Sequence, residues 1–389
     1  MEITRREVEG LGALRSDEWP IISLYLRVDK EHITDDHYAI RLKNLLKELE
    51  RAREQIGLNR AQSQAVDEDV ERIRAFFRDH GDEFGQGVAL FASSRAGLWR
   101  VYHVPREVGN EADLDFRPVI GRLVRVVELF EPICTCVISR DRARIFRGHL
   151  VSFQEVAVRL DEEVPGQHGQ GGWSQARFAR HIEDHVRQHF QRVGHVLFQL
   201  FEQDPFRFLV VAGPDEVVAD FVDGLHPYLR ERYVGSFNSL MEATAKEIRE
   251  ETKRIVTAWQ EQERRRYVDL VLEEALSQDM AVVGLDRVVE VVQMQNVNSL
   301  VVDDQLSAPG RYCLRCGALQ PIGSEASECV FCGGLTRARE NIVPEVYAEA
   351  YRQNANLVFL SERDLRARLE PFGGIGAILR YRIGAPATS

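Results

Sequence analysis

Gly169-Gln170-Gly171-Gly172-Trp173-Ser174-Gln175-Ala176-Arg177-Phe178-Ala179-Arg180 runs from a glycine-rich loop, residues 165–175, into the start of a helix. Paired glycines open backbone conformations closed to other residues and let loop amides approach a carbonyl or another backbone closely. Ser174 is a good N-cap, and the helix start behind it attracts anions. On spacing alone, a plain flexible loop ahead of a capped helix fits as well. The helix adds a second clue: Arg177, His181, Asp184, His185, Gln188 and Arg192 recur at three- and four-residue intervals and share a polar, mainly basic face. His181, His185 and His189 are strung along one helix and span too far to converge on one metal ion. Just upstream, Arg140, Arg142, Arg144 and Arg147 face a single local acid, Asp141. That is a positive patch suited to phosphate contacts, with an ordinary solvated face as the alternative.

Outward from this stretch, the pattern alternates strands with helices. Ile133 to Ser139 and Arg142 to Arg147 read as a hairpin, followed by strands at Leu150 to Leu160, Phe206 to Ala212 and Tyr233 to Phe237. The helix from Ser174 extends to about Glu202 and another begins at Pro214. Toward the N-terminus, strands are expected at Trp19 to Val28, Gly87 to Ala92 and Leu98 to Val104, with helices at Tyr38 to Gln55 and Arg60 to His80. The acidic stretch Glu107 to Asp115 reads as a connection toward the next domain. Leu240 to Gln278 lacks Pro and Gly and predicts one or two long helices into the last segment, which again alternates strands and helices. The fold class is therefore α+β or α/β, with three domains: residues 1–131, 132–262 and 263–389.

Inside the third domain lies a strong signal. Cys313-Leu314-Arg315-Cys316 and Cys329-Val330-Phe331-Cys332 are separated by twelve residues, and Gly317 and Gly333 follow the pairs. Two such knuckles bring four thiolates to one centre, the pattern of a zinc ribbon spanning residues 311–335, inserted in an α/β layer domain. Zn2+ is expected there, with an iron centre or a set of unmetallated thiols as the alternatives, and because four sulfurs leave no position open for water or substrate the ion is expected to be structural. Cys134 and Cys136 lie two apart on a strand and read as core residues.

Composition narrows the rest. The chain has 389 residues, 44% hydrophobic and 29% charged, the profile of a folded multidomain protein. No apolar run is long enough to cross a bilayer, and Met1 to Gly10 is charged, so a cytoplasmic protein with no membrane partner is expected. The formal net charge of −11 argues against a chain coated in nucleic acid and leaves room for one local basic face. A metal-dependent nuclease would need clustered carboxylates, and Asp161, Glu162 and Glu163 are adjacent in sequence, so they are expected to diverge rather than converge on one ion.

The glycine-rich loop and its helix resemble the peptide-release motif of the archaeo-eukaryotic class-1 release factor and Pelota superfamily, in which Gly-Gly-Gln-Ser precedes an Arg-Phe-x-Arg helix start. Gly171, Gly172, Ser174, Arg177, Phe178 and Arg180 match. The glutamine position holds Trp173, and the nearest glutamine is Gln175. The zinc-ribbon domain is also similar to the C-terminal domain of that family, and the departures of the N-terminal domain, which lacks an Asn-Ile-Lys-Ser sequence, favour the bacterial branch with its hibernation factors. The resemblance implies a factor of the ribosomal A site, monomeric off the ribosome, with its N-terminal domain on the decoding-centre side. Gly171, Gly172, Trp173, Ser174, Gln175, Arg177, Arg180 and His181, with Arg140, Arg142 and Arg144, would contact the rRNA of the A site and peptidyl-transferase centre. The C-terminal domain would meet elongation factor Tu or a related translational GTPase. Loss of the glutamine side chain implies a non-hydrolytic role in hibernation or rescue, with peptidyl-tRNA hydrolysis through Gln175 as the alternative.

Overall fold

The computed structural model describes residues 3–28, 37–80, 83–84, 86–104, 108–129, 131–149, 153–156, 174–277, 280–320 and 327–383. The three segments each carry a sheet, but the chain divides into two compact units: Phe130–Glu263, and Met1–Leu129 together with Arg264–Ser389. No helix among the described residues is long and apolar enough to cross a membrane.

The N-terminal part of the larger unit contains α1 (Arg5–Ala13), β1 (Ile21–Arg27), α2 (His37–Ile56), α3 (Arg60–His80), β2 (Gly87–Ser93), β3 (Leu98–Val104), β4 (Glu111–Asp115) and α4 (Gly121–Leu129). Its antiparallel sheet runs β3-β2-β1-β4. Burial of Ala65, Val66, Asp69, Ile73 and Phe77 follows one face of α3, and a reciprocal Asn59–Gln62 capping box starts that helix. The acidic stretch expected to be a connection is in fact β4, an edge strand. In Glu111–Asp115, alternation turns Ala112 and Leu114 to one side and Asp113 and Asp115 to the other.

The central unit holds β5 (Ile133–Ile138), β6 (Ala143–Gly148), β7 (Phe153–Val156), α5 (Ser174–Gln203), β8 (Phe208–Ala212), α6 (Asp215–Asp223), α7 (Pro227–Arg230), β9 (Tyr233–Phe237) and the first half of α8 (Ala245–Ser277). Sheet order is β7-β6-β5-β8-β9, with the β5–β6 hairpin antiparallel and β5, β8 and β9 parallel. The period of two splits the apolar residues between two layers. Cys134, Cys136, Leu209 and Val211 face α5 and α6, whereas Ile133, Val137, Phe208 and Val210 face Ile248, Val256 and Trp259 of α8. Cys134 and Cys136 are core residues, and burial pushes the Cys134 thiol up to about 12.

The second half of α8 enters the C-terminal part, joined by β10 (Ala281–Val283), α9 (Leu285–Gln293), β11 (Val297–Asp303), β12 (Gly310–Cys313), β13 (Leu319–Gln320), β14 (Thr336–Arg339), α10 (Val343–Arg352), β15 (Asn356–Leu360), α11 (Arg363–Leu369) and β16 (Ile375–Leu379). The main sheet is β10-β16-β11-β15. Val268 and Val271 of α8 and Leu365 and Leu369 of α11 cover the face carrying Val301, Val358 and Ile378. Phe359 points the other way, against Tyr347 of α10, its ring 5.3 Å distant, which makes three layers. Between β11 and α10 the chain departs into a separate small sheet, β13-β12-β14, that carries the four cysteines.

Candidate metal centre and candidate RNA-facing helix

Each cysteine pair folds by the same local rule. Gly317 N donates to Cys313 O and Gly333 N to Cys329 O, both at 2.8 Å, and each glycine sits in the left-handed region, at φ 77° and 67°. That conformation is why a glycine closes each knuckle. Amides then point at sulfur: Arg315 N and Cys316 N lie 3.3 Å from Cys313 Sγ, and Phe331 N lies 3.4 Å from Cys329 Sγ. The Sγ atoms of Cys313 and Cys332 are 3.5 Å apart, those of Cys316 and Cys329 3.6 Å, and all four lie within 4.8 Å of one another. A tetrahedral ion with metal–sulfur bonds of about 2.3 Å needs sulfur separations of about 3.8 Å. The four cysteines therefore fit one metal ion. A divalent cation would stabilise all four as thiolates and release their protons.

The central unit places the other predicted residues with mixed results. Gly171, Gly172 and Trp173 lie outside the described residues, whereas Ser174, Gln175, Arg177, Arg180 and His181 fall on the first turns of α5. Further along, His185 is half-buried and His189 is only 2% exposed, a core position rather than a surface ligand. On the β5–β6 hairpin, the arginines counted as a patch are largely engaged by acids remote in sequence. Arg144 forms a bidentate pair with Glu155, at 2.8 and 2.7 Å, and donates to the carbonyls of Met241 and Ala243. Arg142 meets Glu242 at 3.2 Å, and Arg147 meets Asp204 at 2.9 Å. Arg140 remains exposed at the turn, with no ion pair seen among the described residues.

Sequence reasoning missed a second polar cluster, in the larger unit, where the cysteine sheet meets β4. Asp113 and Arg337, 2% and 5% exposed, lie 2.7 Å apart, and Arg339 also pairs with Asp113. Tyr312 donates to Asp115 at 2.6 Å. The detectable signal was the alternation in Glu111–Asp115, which sets its acids on one face as regularly as a buried strand sets its apolar residues.

Comparison with known proteins gives this architecture its place. Residues 118–257 match the model described as bacterial archaeo-eukaryotic release factor family 10, and residues 260–383 match domain 3 of eRF1. Peptide chain release factor subunit 1 of Pyrococcus abyssi is 24% identical, over 97% of this chain and 97% of that protein. The same factor from Methanopyrus kandleri is 31% identical over 42% of this chain and 40% of its own. Among solved structures, ribosome-bound archaeal Pelota, described in a complex with ABCE1, covers 98% of this chain and 95% of its own at 13% identity and a TM-score of 0.41. Archaeal translation termination factor aRF1 covers 98% and 99% at 19% identity and a TM-score of 0.26. With two family models spanning most of its length, the chain is a translation factor of the release-factor type. It belongs to the archaeo-eukaryotic release factor superfamily, and its central unit matches the model of a bacterial family within it.

Proposed function

We propose that this protein binds the ribosomal A site without cleaving peptidyl-tRNA, acting in ribosome hibernation or rescue, and that the metal in its ribbon is a structural Zn2+. The observation that carries the reading is Trp173 at the glutamine position of an otherwise matching release motif. In a hydrolytic factor that glutamine helps to stabilise the developing oxyanion and to orient water. Tryptophan keeps the backbone amide, removes the polar side chain and adds bulk, and losing one such donor typically lowers rate by about 10²- to 10³-fold.

The central unit suits occupancy. The 30 residues of α5 form a rod of about 45 Å, and the Gly171-Gly172-Trp173 sequence immediately precedes its N-terminus, the end with positive dipole character. Arg177, Arg180 and the exposed Arg140 supply the cations for rRNA phosphate and His181 a further polar contact, while Arg142 and Arg144 are held by Glu242 and Glu155 and contribute through the shape of the hairpin. The match of residues 260–383 to a release-factor domain supports the C-terminal part as the face offered to elongation factor Tu or a related GTPase. The protein is proposed to be monomeric off the ribosome.

Co-sedimentation with vacant ribosomes at two salt concentrations, with A-site tRNA as competitor, tests this reading. Binding that tRNA displaces, and that Arg177→Glu with Arg180→Glu weakens by tenfold or more, is the expected result. Absence of binding at either salt would sink it, and release of labelled peptide that vanishes in Gln175→Ala would establish the hydrolytic alternative instead.

A further inference from the structure

We propose that the four-cysteine sheet is a metal-controlled dock for the N-terminal sheet, so that metal binding at the thiols and seating of edge strand β4 form one coupled equilibrium. The inference rests on the metal reading of the cysteines and is independent of the ribosomal one.

The seam is built from three side chains on one face of the cysteine sheet. Tyr312 on β12 lies opposite Arg337 on β14, and Arg339 follows two residues on, so all three point the same way. Opposite them stand the two acids of β4. Arg337 bonds Asp113 at 2.7 Å, donates to Leu114 O at 2.9 Å and reaches Gln55 of α2 at 2.8 Å. Arg339 joins Asp113 and lies 3.0 Å from Glu345, while Tyr312 holds Asp115. Asp113 and Asp115 are each only 2% exposed, so their counter-charges and donors must come from protein. The first knuckle joins in, because the Arg117 guanidinium packs so closely on Gly317 that a Cβ there would collide with it.

These residues are tied directly to the thiols. Tyr312 and the ligand Cys313 are consecutive, and Cys313 is registered with Thr336, the neighbour of Arg337. Strands of four, two and four residues bury too little to hold their own shape. A metal closing both knuckles supplies the missing stability. Without it, Tyr312, Arg337 and Arg339 lose their fixed positions and two buried carboxylates lose their partners. The converse follows by linkage: weakening the seam from the β4 side must weaken metal binding, although no thiol is touched.

A second contact within the same unit does not depend on the metal. Arg352 of α10 donates to Gly12 O at 3.2 Å, and Gly121 of α4 abuts Pro344. Stripping the metal should therefore loosen β4 and the Gln55 end of α2 while leaving α4 protected.

The test uses the full chain and zinc alone. Hydrogen exchange is compared between zinc-loaded and chelator-stripped protein, and zinc affinity is measured by chelator competition in wild type, in Asp113→Asn with Asp115→Asn, and in the control Glu68→Gln, whose ion pair with Arg95 lies on the surface elsewhere. Expected are faster exchange in β4 on stripping, unchanged exchange in α4 and the central unit, and tenfold or weaker zinc binding in the double variant only. Unchanged exchange in β4 would overturn the proposal, as would unaltered zinc affinity in a folded double variant or loss of protection throughout the chain. If the double variant does not fold, the wild-type exchange comparison decides alone. A wild type that binds no zinc would defeat the metal reading itself, whereas zinc binding without coupling would defeat only the dock.

Discussion

Glu345 shows how much the surroundings of one carboxyl matter. Burial is the largest influence on it and pushes its pKa from the usual 4.5 to about 7, against the attraction of Arg339 and with added repulsion from Asp113. A folded-state value above the unfolded one means that the folded chain holds its proton longer. Between about pH 4.5 and 7 the unfolded chain ionises first, so this group makes stability fall as pH rises, by up to roughly 3 kcal/mol once pH is well above 7. Glutamine has the same shape without that penalty, and Arg339 keeps Asp113 as its partner. Glu345→Gln should therefore raise the thermal midpoint at pH 8 and change it little at pH 4.5. Equal shifts at both values would show that the ionisation of Glu345 is not what matters, whereas destabilisation at pH 8 would show that the ion pair with Arg339 outweighs the cost of burying the charge.

At the scale of elements, the helix that joins the central unit to the C-terminal sheet begins with a reciprocal cap. Thr244 Oγ1 accepts from Glu247 N at 3.3 Å, and Glu247 accepts from Thr244 N and Oγ1, both at 2.8 Å. Its 33 residues have Ile248 and Val256 in one core and Val268 and Val271 in another, so fraying at the start reaches the central unit first. Thr244→Ala should destabilise by about 1 kcal/mol and accelerate exchange over the first two turns, leaving the C-terminal sheet untouched. Denaturant unfolding measures the first effect, and a difference below about 0.3 kcal/mol would mean that the neighbouring packing, not the cap, fixes the helix start. Most elements were legible in sequence because each obeys one period throughout. Arg60–His80 and Tyr233–Phe237 are found as expected. Short elements whose signal is ambiguous were not: the acids of β4 look like a linker until the arginines opposite them are known. Charge failed for the same reason on the β5–β6 hairpin, since Glu155, Glu242 and Asp204 neutralise arginines from 11, 100 and 57 residues away. Local counting finds a charge but not its partner.

For the whole molecule the question is whether a release-factor architecture has been kept for occupancy rather than chemistry. Its four clustered cysteines could hold one metal ion and would leave it no open position, and its most informative loop departs from the hydrolytic pattern at one residue, Trp173. If that substitution alone separates this chain from a hydrolase, Trp173→Gln should raise peptide release from stalled ribosomes by as much as about 10²-fold over wild type, because the preceding glycines and the Arg177-Phe178-Ala179-Arg180 sequence already match the motif. Affinity should change little if Trp173 makes no contact of its own, and should fall if it stacks on a nucleobase, by roughly 1–3 kcal/mol. Single-turnover release and co-sedimentation on the same ribosomes separate these effects. Tight binding with no gain in release would mean that the fold around the loop, and not only the missing glutamine, has given up hydrolysis, whereas efficient release by the wild type would overturn the non-hydrolytic reading at once.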